Sequence, residues 1–445
     1  LWFFEFTKPM KKFCFFLIVS LYAPIASSQP ALVNEWWDQA KGIKKQEGQI
    51  LDTLRIGHWI TWYPDGTKES EGNYHDGNKA GKWEYWFPDG KLNSILNIEN
   101  GPCILYHPNG KICMEWQVIH GKRNGKLEEY DTAGHLIRQI TYQNGLKQGF
   151  VQTFYPTGQK SFEGIYRNDS LNGKAIWYYP QGNKEMEGNL HNDLQEGWWI
   201  FYHPNGTKGS EGKFKEGKRT GKWVFYYETG EKWREGEYAD DQRQGHWITF
   251  YETGQRFREG NFVNDKEQGL WVEYYQNENI NYQGYFEGGL MEGLWEAWYE
   301  DGKTRYRNHY SLGIPHGKWT YFYRNGNKKY EGYYVNGRKN GLWTEYYQDG
   351  SMESKANYTD GRRQGTAFFY EPNGLLIRQQ DFLNDEPHGS FISFYPNGKK
   401  SSEGVHYRGS PTGIWKFYSH DGKLIMTKTY SNPPSSSKHQ KEKKN

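Results

Sequence analysis

The sequence predicts an all-β protein: an elongated antiparallel array of β-hairpins in a single sheet, with about 16 repeats of 24 residues. Three observations carry this expectation. The chain holds 20 Trp, 36 Tyr and 24 Phe among 445 residues, yet hydrophobic residues reach only 35%. Aliphatic side chains are therefore too few for one large buried core, whereas a disordered chain would be poor in aromatics. A Gly-x-Trp-like segment also returns at a fixed interval, the signature of a repeat architecture. Gly or a turn signal interrupts every few residues, which argues against helix.

From the N-terminus, residues 1–28 read as an upstream extension plus signal peptide. Met10-Lys11-Lys12 is basic, the run Phe13 to Tyr22 is apolar, and Ala26, Ser27 and Ser28 are small. That apolar core is shorter than the ~20 residues of a membrane span. The expectation is export, to periplasm, medium or cell surface, after cleavage near Ser28. Residues 29–56 form a degenerate capping repeat, with Gly42 and Gly48 in phase with the glycines of the array. The array occupies 57–430. Residues 431–445, opening on Ser431-Asn432-Pro433-Pro434 and closing on lysines, read as a disordered basic tail.

Charge narrows the partners. The formal net charge is +3, but the tail carries four lysines against one glutamate and the first 28 residues three against one. The body between them is slightly acidic, whereas a nucleic-acid binder carries its positive charge on the folded surface. No nucleic-acid partner is expected.

Sixteen glycines, from Gly57 to Gly413, open the repeats, and every interval is 24 except the 20 between Gly81 and Gly101. Counting that glycine as position 0, position 5 is always aromatic: Trp62, Trp86, Tyr178, Tyr202, Tyr226, Phe250, Tyr274, Trp298, Phe322 and Tyr346 are examples, and form the structural aromatic lane. Position 9 is Gly in every copy but one, where Glu278 stands. Pro and Asn or Asp before it fit a type I turn, with the glycine as the left-handed residue of a three-residue hairpin loop. Glu-Gly-x-aromatic follows, as in Glu235-Gly236-Glu237-Tyr238, and then a second turn with Gly or Asp at position 20. Each repeat is thus one hairpin, and strands ~4.8 Å apart would carry sixteen repeats over roughly 150 Å. The preferred turn register places the aromatics of positions 5 and 17 on one face, and the Trp of position 2 with the Tyr of position 6 on the other. Rings stacked along both faces would shield a sheet that has no second layer.

The segment from Tyr323-Arg324-Asn325-Gly326 through Glu331-Gly332-Tyr333-Tyr334 to Gly341-Leu342-Trp343 resembles the MORN repeat in its bacterial variant form, and the likeness covers about 85% of the chain. The resemblance implies hairpin arrays that serve as scaffolds, as protein-interaction modules and as membrane-lipid contacts; no residue of this sequence argues for the lipid role. It also implies a YwqK-type antitoxin-like family. The 24-residue period and the Trp at position 2 depart from the shorter eukaryotic repeat.

No catalytic, cofactor or metal motif is present. Gly212 to Arg219 resembles a phosphate loop without the final Ser or Thr, and the repeat regenerates the same spacing at Gly332 to Arg338. His107 and His203 share position 6 four repeats apart, ~40 Å, too far to hold one metal ion. Glu71, Glu163, Glu187, Glu211, Glu235, Glu259, Glu331 and Glu403 share one phase and read as a solvated charged lane. Cys103 and Cys113 are expected as diagonal neighbours and unbridged. Tyr227, Tyr251, Tyr275, Tyr299, Tyr323 and Tyr347, at position 6, make the candidate ligand-contact lane, because a repeating aromatic platform stacks sugars or holds an extended partner. Three functions fit: a non-enzymatic exported scaffold for a protein partner, a binder of envelope glycan through the tyrosine lane, and an antitoxin-like partner of a toxin.

Overall fold

The computed structural model describes residues 29–431; the proposed signal peptide and nearly all of the basic tail lie outside them. The described residues form 35 strands and no helix. The chain divides into two units, the first ending at Lys147 and the second beginning at Gln148. Within each, strands pair antiparallel in chain order: in the second, Lys208–Lys215 pairs with Leu194–Tyr202 before it and Lys218–Tyr226 after it. Among the described residues, no helical layer covers the strands of either unit.

Both turns take the expected chemistry. At the first, Gly66 donates to the Tyr63 carbonyl (2.9 Å) and Tyr63 to the Thr67 carbonyl (2.8 Å), with Gly66 at φ +92°. Glu278 accepts the same left-handed conformation at φ +65°. The second turn is two residues long, as at Asp76 (φ +47°) and Gly77 (φ +78°), which is the primed turn that matches strand twist. In the first unit, Ala31–Asp38 and Ile43–Leu51 form a hairpin ahead of the first full repeat, on the segment read as a cap.

The expected faces are corrected. Trp59 pairs with Gly72 and Gly57 with Tyr74, so positions 2, 4, 13, 15 and 17 share one face, and positions 1, 3, 5, 14 and 16 the other. Position 17 therefore sits with the Trp of position 2 and not with position 5. The cause is one extra residue, Glu69, between the pairs Thr61↔Ser70 and Trp62↔Lys68. A slip of one residue moves every later side chain to the opposite face. The Tyr of position 6 opens the turn and belongs to neither row. The cysteines are corrected likewise: Cys103 pairs with Trp116, and Cys113 falls in the irregularity between Leu105↔Met114 and Tyr106↔Ile112. Both thiols are free.

A second irregularity recurs where hairpins join. Pairing jumps from Glu47↔Ile60 to Gln49↔Ile56, leaving three residues, with Gly57 at φ +65°, opposite Gly48 alone. This bulge turns the next Trp back over that glycine. A β-carbon on Gly212 would lie 2.3 Å from Trp223 Cδ2, and one on Gly236 2.2 Å from Trp247 Cδ2. The flat indole replaces the side chain the glycine lacks. Trp223 Nε1 then donates to the Lys213 carbonyl (3.1 Å), so the buried ring is also hydrogen-bonded. Alternating with the aromatic of position 17, these rings run from Trp199 to Tyr358 with centroids 4.8 to 6.4 Å apart. Edge-to-face contact at this spacing adds to the area each ring buries. This row is the core.

Candidate interaction surface

The structure lines up the six tyrosines of the candidate ligand-contact lane and engages every hydroxyl. Tyr227 donates to the Phe250 carbonyl, Tyr251 to Tyr274, Tyr275 to Trp298, Tyr299 to Phe322, Tyr323 to Tyr346 and Tyr347 to Tyr370, at 2.8 to 3.0 Å. Each bond reaches 23 residues ahead and ties one hairpin to the next. The rings are half-buried, and burial pushes the Tyr227, Tyr251, Tyr323 and Tyr347 phenols up. Where His replaces Tyr the bond persists: Nε2 of His107 and His203 lies 3.0 and 3.1 Å from the carbonyls of Tyr130 and Tyr226. The hydroxyl's polar partner is the chain itself.

On the opposite face from the tryptophans, the position-5 lane meets the recurrent glutamates. The hydroxyls of Tyr178, Tyr202, Tyr226, Tyr274 and Tyr346 donate to Glu163, Glu187, Glu211, Glu259 and Glu331 at 2.5 to 3.0 Å. A basic residue three positions upstream closes the group, as Lys184 does on Glu187 (2.8 Å) and Arg256 on Glu259 (2.9 Å). The lane read as solvated is therefore partly buried and fully partnered; the Glu187 side chain is 15% exposed. Burial opposes ionisation of Glu187, but the hydrogen bonds from Lys184 and Tyr202 outweigh it and bring it down to about 2. Burial and the Glu187 carboxylate push Tyr202 up to about 12. Neither group is poised to exchange a proton near neutrality. The lane members without a hydroxyl, Trp62, Trp86, Phe250, Trp298 and Phe322, hold the same position, and the Lys68 ammonium lies 4.7 Å above the Trp86 ring.

Apolar side chains stay uncovered around the two-residue turns, as at Leu290, Leu312 and Ile314, and in a stripe at positions 1 and 16 of this same face. In four successive hairpins of the second unit, Leu270 pairs with Tyr285, Leu294 with His309, Lys318 with Tyr333 and Leu342 with Asn357. Tyr285 is 54% exposed, Tyr333 53% and Leu342 51%. Phe150 and Trp198 stand at the same positions nearer the start of that unit, and Val405 and Ile414 nearer its end, but polar pairs such as Lys222↔Glu237, His246↔Asn261 and Thr366↔Asp381 lie between them and the four hairpins. Sequence reasoning missed it because the face assignment depends on the bulge; variation at positions 1 and 16 amid repeating neighbours was the available signal. Among the described residues, no cluster of three His, Cys, Asp or Glu side chains is arranged to hold a metal ion.

A tandem array of hairpins, most of them built on a glycine covered by the tryptophan of the next hairpin, defines a hairpin-repeat protein. The MORN repeat variant family matches eleven segments, from 55–76 to 411–432, which together cover more than half of the chain. The chain belongs to that family. No curated protein matches it. Among solved structures it is similar to the TcdB2-TccC3-Cdc42 complex, with 10% identity over 90% of this chain and 27% of that one and a TM-score of 0.13. The Photorhabdus luminescens Tc holotoxin pore gives 10% identity over 86% and 24%, TM-score 0.13. The TCP10 domain of Danio rerio CPAP, in complex with a STIL peptide, gives 12% over 63% and 100%, TM-score 0.16. The chain spans about a quarter of the length of the toxin chains.

Proposed function

We propose that this protein is a non-enzymatic repeat scaffold whose second unit binds an extended segment of a partner protein along the stripe at positions 1 and 16. One observation carries the reading: large apolar side chains recur there, exposed, while the tryptophans of position 2 are buried in most hairpins and the six lane tyrosines of position 6 are hydrogen-bonded. Successive hairpins advance ~10 Å, and an extended chain covers that in about three residues. A partner laid across the strands would thus meet one hairpin at every third residue. Tyrosines such as Tyr285 and Tyr333 are among the residue types that carry most of the binding energy at protein interfaces. The apolar run Phe13 to Tyr22 supports an exported setting, which N-terminal sequencing of the mature protein tests.

The test places a photo-crosslinking amino acid at Tyr333 in the full chain, in cells. It should capture one partner reproducibly. Replacing Leu270, Leu294 and Leu342 together by Ser should remove that adduct with thermal stability unchanged. An adduct that survives the triple substitution, or none at all, overturns the proposal.

A further inference from the structure

On the tryptophan face, at the level of Gly173–Tyr178 and Lys184–His191, lies an open cavity of about 390 Å³ lined by Leu171, Trp177, Met186, Leu190, Asp193 and Leu194 over Trp199. Its size falls in the range of small-ligand sites, about 300–1,000 Å³. The repeat shows why it is there. Ala175 stands where most hairpins carry Trp, and Phe162 lies on the vacant glycine, 2.7 Å from where a β-carbon on Gly164 would sit.

Two repeats further on, the same place is filled. Leu171, Met186 and Gln195 correspond to Arg219, Arg234 and Arg243, and Asp193 corresponds to Asp241. Arg219 lies 4.1 Å above the Tyr238 ring and its Nε meets Asp241 at 2.9 Å. Arg234 lies 4.4 Å above Phe225, and Arg243 3.9 Å above Phe262 while pairing with Asp265 at 2.8 Å. The same pairing joins Arg363 to Asp385. Arg219, Arg243 and Arg363 pack on rings and answer a carboxylate at once, whereas Arg234 packs on rings alone.

At the cavity the carboxylate is kept and the cations are gone. Asp193 accepts one backbone hydrogen bond, from Leu171 N (2.7 Å), and forms no ion pair among the described residues. Trp177, half-buried, supplies an aromatic wall 5.8 Å from Trp199, and the leucines and Met186 supply an apolar lining. We infer that this cavity binds a guanidinium or ammonium group on an apolar stem, the chemistry of an arginine side chain, supplied from outside the chain. The stem would lie along Leu171, Leu190 and Trp177, with the cation against Asp193. The site is on the opposite face from the stripe at positions 1 and 16, so either assignment can fail without the other.

The test titrates the full chain with the capped tripeptide acetyl-Leu-Arg-Leu-amide and its citrulline counterpart, which keeps the shape and removes the charge, followed by ligand-detected NMR. The arginine peptide should bind at least fivefold tighter. Asp193→Asn, which keeps an acceptor for Leu171 N, should erase that preference. Leu171→Arg, which installs the guanidinium seen at Arg219, should abolish binding. Capped arginine alone binding as well as the peptide would identify a small organic cation as the ligand; binding by the peptide alone would identify a polypeptide. Equal binding of the citrulline peptide, undiminished binding to Leu171→Arg, or no binding at millimolar peptide would overturn the assignment.

Discussion

Trp223 lies flat on Gly212, so close that a β-carbon there would stand 2.3 Å from the ring. The same contact joins Trp199 to Gly188, Trp271 to Gly260, Trp295 to Gly284 and Trp343 to Gly332. The bulge on one strand and the missing side chain on the other form a single device, which gives an open sheet its dry interior.

Gly212→Ala should therefore cost about 2–3 kcal/mol, as overpacking does. The comparison is Gly221→Ala, where φ is +62° and nothing lies within 4 Å of the added carbon. There only backbone strain applies, about 1–2 kcal/mol. Hydrogen exchange across the 208–226 hairpin measures both; equal protection in the two variants would refute the packing account.

Asn308 occupies the glycine position beneath Trp319 and is completely buried, with neither amide atom partnered. Trp319 is accordingly only half-buried, whereas Trp295 and Trp343 on either side are 3% exposed. Asn308→Gly should stabilise this hairpin by about 1 kcal/mol, since removing an unmet buried amide outweighs the backbone entropy of glycine. Loss of thermal stability in that variant would contradict the expectation.

Tyr275→Phe should cost about 1 kcal/mol by leaving the Trp298 carbonyl without its donor. The loss should localise to the junction between the Tyr275 turn and the following one, as hydrogen exchange would show. A variant as stable as the parent would return this hydroxyl to the set of groups available for ligands.

Acid should weaken the array through its glutamates. Glu403, bonded by Lys400 and Tyr418, and Glu187 are both held down to about 2, below the ordinary glutamate value of ~4.3. Between those values the unfolded chain binds more protons than the folded one. The stabilisation is complete above about pH 4.3 and is lost as pH falls through about 2, on the order of 2 kcal/mol per glutamate. The tyrosines give the opposite limb: Tyr178, Tyr202 and Tyr274 are raised to about 12 by burial and by their glutamates, so their contribution is full below pH ~10 and lost above about 12. Urea midpoints across pH ~2–12 should fall at both ends; a flat acid limb would refute the glutamate assignment.

The period, the hairpins and both turns were legible because glycine and asparagine report backbone conformation locally: Gly66 and Gly77 state their turns without help from distant residues. The faces were not, because Glu69 adds one residue that no composition signal distinguishes from its neighbours. That single residue decided whether Tyr74 stood with Trp59 or with Trp62. The candidate tyrosines share one position of the repeat, and their hydroxyls are met by carbonyls 23 residues away, a relation visible only once consecutive hairpins are stacked. The stripe through Tyr285, Tyr333 and Leu342 and the cavity at Ala175 depend on that register too.

The tyrosine bonds all point one way, from each hairpin to the carbonyl of the hairpin after it. A segment of 24 residues excised or duplicated in phase would leave every such donor facing an equivalent acceptor. Within the second unit, the number of hairpins can therefore change by whole steps without redesigning any junction. The array behaves as a ruler whose length is written in copies, and its reach can be adjusted independently of the chemistry displayed at each mark.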